Sequence, residues 1–176
     1  MKIRIAGITP ESVVDGPGIR LVIFTQGCYH NCPGCHNPQT HDPNGGNEID
    51  VTDIQTLIEY TKLIRGVTFS GGEPFLQPKP LVLLAKYIHR SGLDVVCYSG
   101  FYFEELLKLG QKDLSILDLL KQIDILIDGP YQAAERDTRL AFRGSANQRL
   151  INVNLSLKFG KVILWEDPAV HSLLKS

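Results

Sequence analysis

Four short apolar runs, each followed at once by a polar or glycine-rich segment, constrain the fold of this chain more than any other feature. They occupy residues 21–25, 67–70, 93–98 and 123–127. Short apolar runs bounded by turn residues are typical of buried strands. Because stretches long enough for helices separate them, the pattern predicts an α/β fold, in which helical crossovers connect the strands of a mostly parallel sheet.

Helices are predicted in the intervening stretches. One is expected at residues 53–65, with Thr52 as its N-cap and Gln55 completing a capping box. The next is expected to begin near Pro80, because proline favours the first turn of a helix. Residues 103–122 predict two short helices broken near a glycine.

The strand–helix units are too few for a closed eight-fold barrel, so the sequence predicts a partial, incomplete β/α barrel. We expect a single domain over residues 1–176, with a core at about 13–149 and a C-terminal β extension at about 150–176. Strands near 150–157 and 161–165 would form this extension as a hairpin that covers a sheet edge.

Chemically distinctive residues follow each of the four predicted strands. In parallel α/β folds, ligands bind at the carboxyl ends of the strands, which meet at one edge of the sheet. The segments that would meet there are Cys28 to Cys35, Gly71 to Pro74, Ser99-Gly100 and Asp128-Gly129. The sequence therefore predicts one shared site built from four loops.

Composition and charge exclude several classes of partner. The 176 residues carry 18 basic and 19 acidic side chains, a net charge of −1, so no overall field favours nucleic acid or a membrane surface. No apolar run approaches the roughly 20 residues of a membrane-spanning helix. The first residues lack the features of a signal peptide, which predicts a cytoplasmic protein whose thiols stay reduced.

Three of the four cysteines lie within eight residues, as Cys28, Cys32 and Cys35. In a reducing compartment, such a group indicates metal ligands or catalytic groups rather than disulfides. Three thiolates are one fewer than a structural zinc site needs, but they suit a catalytic zinc with an open position. They also suit a four-iron cluster that keeps one iron exposed. Ligand chemistry alone leaves zinc and iron–sulfur as equal alternatives.

The order of two motifs favours iron–sulfur. Cys-x3-Cys-x2-Cys after the first strand and Gly71-Gly72-Glu73-Pro74 after the second together resemble the radical S-adenosylmethionine enzymes. The resemblance implies that the three cysteines hold a [4Fe–4S] cluster, whose open iron is chelated by the methionine part of S-adenosylmethionine. Reductive cleavage of the sulfonium would then give a 5'-deoxyadenosyl radical that abstracts hydrogen. The cofactor would carry this radical chemistry, so no catalytic side chain is expected.

The same resemblance implies which residues bind S-adenosylmethionine. The backbone of Gly71 and Gly72 would receive its amino group, with Glu73 nearby. His36, directly after Cys35, offers a flat ring that could stack near the adenine, and Ser99 would contact the methionine or ribose part. The full expected set of cofactor-binding residues is Gly34, Cys35, His36, Gly71, Gly72, Glu73 and Ser99.

The segment from Val14 to Arg20 resembles the N-terminal signature of activases of glycyl radical enzymes, which abstract hydrogen from a backbone glycine of a partner protein. No cysteine occurs in residues 36–96, so one cluster is expected. Over about residues 13–149, including Arg143 to Gln148, the short chain is similar to activases of the anaerobic (class III) ribonucleoside-triphosphate reductase. This resemblance implies the large subunit of that reductase as partner and a flavodoxin-type electron donor.

Three alternative functions stay open from the sequence. The target could be another glycyl radical enzyme, or a small molecule as in the deazaguanine synthases. The third alternative is a zinc-stabilised binding module without catalysis.

Single residues outside the motifs have simpler interpretations. Cys97 is predicted to be a buried strand residue, and Trp165 a core residue at a strand end or part of a partner surface. His30 shows no pairing in the sequence and is expected to be solvated. Arg20 either contacts a cofactor or partner or flanks a strand, and Asp128 is equally a turn residue or a site residue.

Overall fold

A computed structural model describes residues 1–167 of the chain. Its strands are β1 (Lys2–Ser12), β2 (Arg20–Thr25), β3 (Asn47–Asp50), β4 (Gly66–Gly71), β5 (Asp94–Tyr98), β6 (Ile125–Asp128) and β7 (Arg149–Asn152). Its helices are α1 (Val51–Tyr60), α2 (Pro78–Arg90), α3 (Phe103–Gly110), α4 (Leu114–Leu120) and α5 (Val153–Phe159). No helix of this part of the chain is long and apolar enough to span a bilayer.

The strands form one open sheet in the order β3-β1-β2-β4-β5-β6-β7. The four central strands β2, β4, β5 and β6 are parallel and correspond to the four apolar runs, which confirms the predicted α/β fold with helical crossovers. Antiparallel strands flank this centre on both sides. Because β3 and β7 end the sheet without pairing to each other, the barrel is incomplete, as predicted.

The main hydrophobic core lies between the helices and one face of the sheet. Alternate residues of the central strands point into it, because side chains of a strand alternate between the two faces. The fully buried residues that the four central strands contribute to this core are Leu21, Ile23, Val67, Phe69, Val95, Cys97 and Leu126. The prediction for Cys97 is therefore confirmed, and burial raises the pKa of its thiol well above the ordinary value.

A second, smaller apolar cluster covers part of the opposite face of the sheet. Its buried members are Val96, Ile125 and Ile127, and Trp165 packs against them from the C-terminal segment. Trp165 is thus a core residue, the first of its two predicted roles. Thr68 and Ser70 of β4 also lie on this face, and Ser70 lines a cavity near the carboxyl ends of the strands.

The apolar pattern did not reveal β1 and β3. Register shifts interrupt the pairing of β1 with β2, and Gly7 and Pro10 break the alternation that would mark a strand. The four side chains of β3 are exposed or only partly buried, so no hydrophobic pattern marks it. This segment is a strand because its backbone pairs with β1. Its own side chains give no signal.

Helix α1 begins before the predicted N-cap and ends five residues early. Thr52 lies inside the helix, and the N-cap residue is Asp50, whose side chain makes no capping bond, so the predicted capping box is wrong. The start is set instead by β3, which runs directly into the helix, and by a bond from the Val51 amide to the Met1 carbonyl. The chain leaves the helix at Thr61, and Ile64 enters the core from the following turn.

The C-terminal extension covers the sheet edge with one strand rather than a full hairpin. Strand β7 pairs antiparallel with β6, but the residues that follow form α5 instead of more strand. The Asn152 side chain accepts from the Leu155 amide and Gly160 adopts a positive φ of 66°, so both ends of this helix are capped. Only an isolated bridge between Ile151 and Leu164 returns to the sheet. The end of the predicted extension lies outside the described residues.

Candidate functional site

A cavity lies at the carboxyl ends of the four central strands, where the topology brings their loops together. Cys28, Cys32 and Cys35 line it from the loop after β2. The loops after the next strands contribute Gly71, Gly72, Ser99, Gly100, Gly129 and Tyr131. Of the nine residues predicted for the site, only Gly34 and Glu73 do not line this cavity.

The cysteine loop turns sharply enough to present three thiols to one cavity. Gly27, Asn31 and Gly34 all have positive φ, which is easily adopted by glycine and tolerated by asparagine. The three thiols are free and partly buried, and the Asn37 amide donates to the sulfur of Cys35 at 3.4 Å. Desolvation raises the pKa of the Cys28 thiol.

The three thiols supply the donor set of an iron–sulfur centre. They line one cavity from a single loop. Each thiolate of a four-iron cluster binds a different iron, so three thiolates would leave one iron open. The residues present therefore fit a four-iron cluster.

Gly71 and Gly72 bring backbone, and no side chain, to the wall of the cavity. Gly71 has a φ of 92°, and a Cβ there would lie 2.7 Å from the backbone of Phe24. A Cβ on Gly72 would lie 2.3 Å from the carbonyl oxygen of Gly27. Because Gly71 packs against the backbone of β2 and Gly72 against the start of the cysteine loop, only glycine fits at either position.

Glu73 is buried behind this wall. Its side chain is 1% exposed, and its carboxylate accepts hydrogen bonds from three loops. The donors are Phe75 N at 3.1 Å, Ser99 Oγ at 3.0 and 3.1 Å, Gly100 N at 2.9 Å and His30 Nε2 at 2.9 Å. The carboxylate thus connects the loops after β2, β4 and β5.

His30 is one of these donors, so the prediction of a solvated side chain is wrong. Its ring lies edge-on to Phe101 with the ring centres 4.5 Å apart, and its side chain is 19% exposed. The hydrogen bond with Glu73 raises the pKa of His30. Sequence inspection missed this pair because 43 residues separate its members. The one available signal was a histidine inside the cysteine loop.

Ser99 lies at the cavity, but its hydroxyl already has protein partners. The hydroxyl donates to Glu73 and accepts from the Phe101 amide at 3.1 Å. Its side chain therefore contributes to the wall of the cavity mainly through its position at the end of β5.

His36 has an aromatic neighbour that the sequence did not reveal. The rings of His36 and Tyr131 lie 4.5 Å apart at an angle of 48°, and both line the cavity. Gly144 leaves room for Tyr131, since a Cβ there would lie 3.0 Å from the ring. The two rings together offer an apolar wall that suits a flat heterocycle.

The segment from Arg143 to Gln148 closes the side of the cavity next to β6. The Gln148 side chain accepts from the Gly144 amide and donates to the Gly129 carbonyl, which ties this segment to the end of β6. Arg143 lines the cavity, and its Nε is buried without a partner in the described part of the protein. This donor is available to a ligand. The sequence singled out the segment but offered no mechanism for it.

Two buried charges have structural roles away from the cavity. Arg20 is fully buried, with Nη2 2.6 Å from Asp94, and it does not contact the cavity. Of its two predicted roles, the structure supports the one at the start of a strand. Asp128 is also fully buried, and its carboxylate accepts from the Phe103 amide and from Arg149. It joins β6 to α3 and β7.

Known proteins that resemble this chain share most of its length. A family model described as a 4Fe-4S single cluster domain matches residues 14–151. The chain is 32% identical over 150 residues to the anaerobic ribonucleoside-triphosphate reductase-activating protein of Enterobacteria phage T4, covering 81% of this chain and 90% of that protein. The protein of the same name from Salmonella typhimurium is 33% identical over 148 residues, covering 79% of this chain and 92% of that protein.

A second kind of activating enzyme is also similar. The pyruvate formate-lyase-activating enzyme of Clostridium pasteurianum is 39% identical over 130 residues. These residues make up 69% of this chain and 53% of that protein.

Proposed function

This chain belongs to the family of anaerobic ribonucleoside-triphosphate reductase-activating proteins, and we propose that it installs a glycyl radical on the large subunit of such a reductase. The members of this family are activating enzymes, and the chain is an oxidoreductase with a single-cluster 4Fe-4S domain. One observation carries the proposal: three free thiols and a glycine pair that admits no side chain line the same cavity.

Different residues of the cavity would bind the cluster and the cofactor. Cys28, Cys32 and Cys35 would hold a [4Fe–4S] cluster with an iron left open for S-adenosylmethionine. When bound, cluster and cofactor supply the one-electron chemistry that cleaves the sulfonium and removes hydrogen from a glycine. The bare backbone of Gly71 and Gly72 would receive the amino group of the cofactor, since nothing else intervenes between it and the cavity.

The opposite wall would hold the nucleoside part. His36 and Tyr131 present two aromatic rings to the cavity, and stacking on such rings favours a purine base. The unpartnered Nε of Arg143 is suited to an acceptor on the cofactor or on the partner's glycine segment. Gly34 would act indirectly, because its φ of 74° allows the turn of the cysteine loop.

The reductase is the favoured partner because the chain matches nearly the whole length of the relatives that activate it. The two reductase-activating relatives are matched over 90% and 92% of their length, whereas 53% of the pyruvate formate-lyase-activating enzyme is matched. The 39% identity to the latter favours a second candidate, activation of another glycyl radical enzyme. A flavodoxin-type protein would supply the electron in either case.

The test is a two-step reconstitution under anaerobic conditions. The protein is loaded with iron and sulfide, reduced in the presence of S-adenosylmethionine, and assayed for 5'-deoxyadenosine. It is then incubated with the anaerobic reductase large subunit, and the glycyl radical is sought by electron paramagnetic resonance. We expect both products from the wild-type protein.

The controls separate the parts of the proposal. A folded protein that binds a single zinc, takes up no sulfide and cleaves nothing would overturn it in favour of a binding module. Radical formation on pyruvate formate-lyase but not on the reductase would support the second candidate. The first assay uses dithionite as the chemical reductant. Repeating it with reduced flavodoxin tests the proposed electron donor separately.

A further inference from the structure

Glu73 stands in the motif expected to bind the cofactor, yet its side chain does not face the cavity. The two glycines before it line the cavity, while Glu73 does not and is 1% exposed. Its backbone amide is bonded to the Gly27 carbonyl at 2.8 Å, which holds the residue against the start of the cysteine loop. A ligand in the cavity would therefore meet Gly71 and Gly72 before the carboxylate.

The carboxylate has little bonding capacity left for a cofactor. Two oxygens offer about four acceptor positions. Oε1 accepts from the Phe75 amide and the Ser99 hydroxyl, while Oε2 accepts from the Gly100 amide, His30 and, at a longer distance, Ser99. Every one of these donors belongs to this chain.

These donors come from the loops that form the two halves of the site. His30 lies between Cys28 and Cys32 in the cysteine loop, and Ser99 and Gly100 follow β5. Gly100 leaves room for the ring of His30, because a Cβ at position 100 would lie 2.5 Å from the imidazole. His30 therefore occupies a fitted place between Gly100, Phe101 and the carboxylate.

We propose that Glu73, His30, Ser99 and Gly100 form a carboxylate hub that sets the position of the cysteine loop relative to the glycine pair. Glu73, His30 and Ser99 are positioning residues in this hub, and the cofactor is bound by the groups that they hold in place. The inference rests on the proposed function for its consequence, since S-adenosylmethionine must meet the cluster and the glycine backbone at once.

The physical reason is preorganisation. A hydrogen bond to a buried carboxylate is stronger than one between neutral groups, and losing a donor leaves an acceptor unsatisfied. Without the bond from His30, the cysteine loop has fewer fixed positions in the free protein. The cofactor must then order the loop as it binds, which weakens its affinity without removing any of its own contacts.

The test compares two variants of His30. In His30→Phe, a ring remains against Phe101 but the donor is lost. In His30→Gln, the amide nitrogen takes nearly the place of Nε2 and keeps the donor. For cluster-loaded protein, we expect the dissociation constant of S-adenosylmethionine to rise about tenfold in His30→Phe and to stay within about threefold in His30→Gln. Iron and sulfide content should match the wild type in both.

A second measurement is independent of the cofactor. Hydrogen exchange of the amides of the cysteine loop is followed in the protein without S-adenosylmethionine. We expect faster exchange in His30→Phe than in His30→Gln, because the loop has lost its bond to the hub. Ser99→Ala, which removes a smaller side chain from the same carboxylate, should give an intermediate effect in both measurements.

The outcomes keep this inference separate from the proposed function. If the wild type does not bind S-adenosylmethionine, the proposed function fails, and the hydrogen-exchange comparison still decides whether the hub orders the loop. If the wild type binds and His30→Phe binds equally well with unchanged exchange, the hub is overturned. Should His30→Phe lose its native circular dichroism, Ser99→Ala and His30→Gln carry the same comparison.

Discussion

Two buried charged side chains, Arg20 at the amino ends of the central strands and Glu73 just beyond the carboxyl ends, have different neighbours. At the amino ends, Arg20 of β2 lies in register with Gly66 of β4 and Asp94 of β5. Its guanidinium bonds Thr68, the Val67 carbonyl and Asp94, all in strands, and the Pro17 carbonyl. At the carboxyl ends, the donors to Glu73 all come from loops or turns.

This difference separates stability from function. Strand atoms around Arg20 are already held by the sheet ladder, so its bonds add to the stability of a fixed structure. The donors around Glu73 lie outside the sheet ladder, so its bonds help to set where these loops lie. Removing the charge of Arg20 should lower the stability of the fold, whereas disturbing the bonds of Glu73 should change the affinity for S-adenosylmethionine. Four predictions test this division, in order of expected size.

The largest effect is expected at the cysteine loop. Cys32→Ala removes one of three cluster ligands, so we expect no stable [4Fe–4S] cluster and 5'-deoxyadenosine only at background level. Iron, sulfide and product are measured after reconstitution. Cys97→Ala is the matched control, because Cys97 is fully buried in the core and should leave the cluster intact. Full cluster content in Cys32→Ala would show that the ligands lie elsewhere.

The next largest effect concerns the amino ends of the strands. Arg20→Met leaves buried polar groups without their charged partner and should lower the free energy of unfolding by about 3 kcal/mol. The dissociation constant of S-adenosylmethionine for the folded variant should stay within about twofold of the wild type. Urea unfolding and equilibrium dialysis give the two quantities. A large loss of affinity with unchanged stability would contradict the proposed division.

A smaller effect is expected where the two halves of the site touch. Gly71→Ala introduces a methyl group 2.7 Å from the Phe24 backbone at a φ of 92° and should cost about 2 kcal/mol. Gly92→Ala is the control for backbone strain alone, because Gly92 has a φ of 76° but nothing within 4 Å of the added Cβ. We expect it to cost about 1 kcal/mol. Equal costs in denaturant unfolding would show that the end of β4 is not tightly packed against β2.

The smallest effect is expected from the charge pair that connects β7 to α3. Arg149 donates two hydrogen bonds to Glu104, which lower the pKa of this carboxyl. A carboxyl whose pKa is lowered by folding stabilises the folded protein at pH values above its ordinary pKa. This contribution is lost as the pH falls through the pKa of the folded state. Glu104→Gln should therefore cost about 0.5 kcal/mol at pH 7, and this cost should disappear as the pH falls through the lowered pKa of Glu104. A cost independent of pH would point to packing instead.

The sequence predicted the central strands better than the edges. The segment 67–70 lies in β4 (Gly66–Gly71), because the alternation of Val67 and Phe69 with polar residues is a local signal of a strand. β3 has no such signal and owes its structure to a neighbour far along the chain. After Asn152 the pattern predicts strand where the structure has α5, because this helix depends on two end caps that the apolar pattern does not show.

At the site, the sequence identified residues more reliably than contacts. The three cysteines, His36, the two glycines and Ser99 all line one cavity, as a parallel sheet requires of segments that follow its strands. The place of Glu73 behind the wall, the role of His30 and the contribution of Tyr131 were not predictable. Each depends on packing between segments whose separation along the chain removes any local pattern.

The sequence by itself thus determined which strands form the centre of the sheet and which chemical groups follow them, since hydrophobic periodicity and loop position are local properties. The tertiary structure decided how those groups are used. His30 and Glu73 are 43 residues apart, and Ser99 and Glu73 are 26 apart, so only the folded chain brings them to one carboxylate. Burial then made that carboxylate a structural centre, because a charge removed from water must take its partners from the protein.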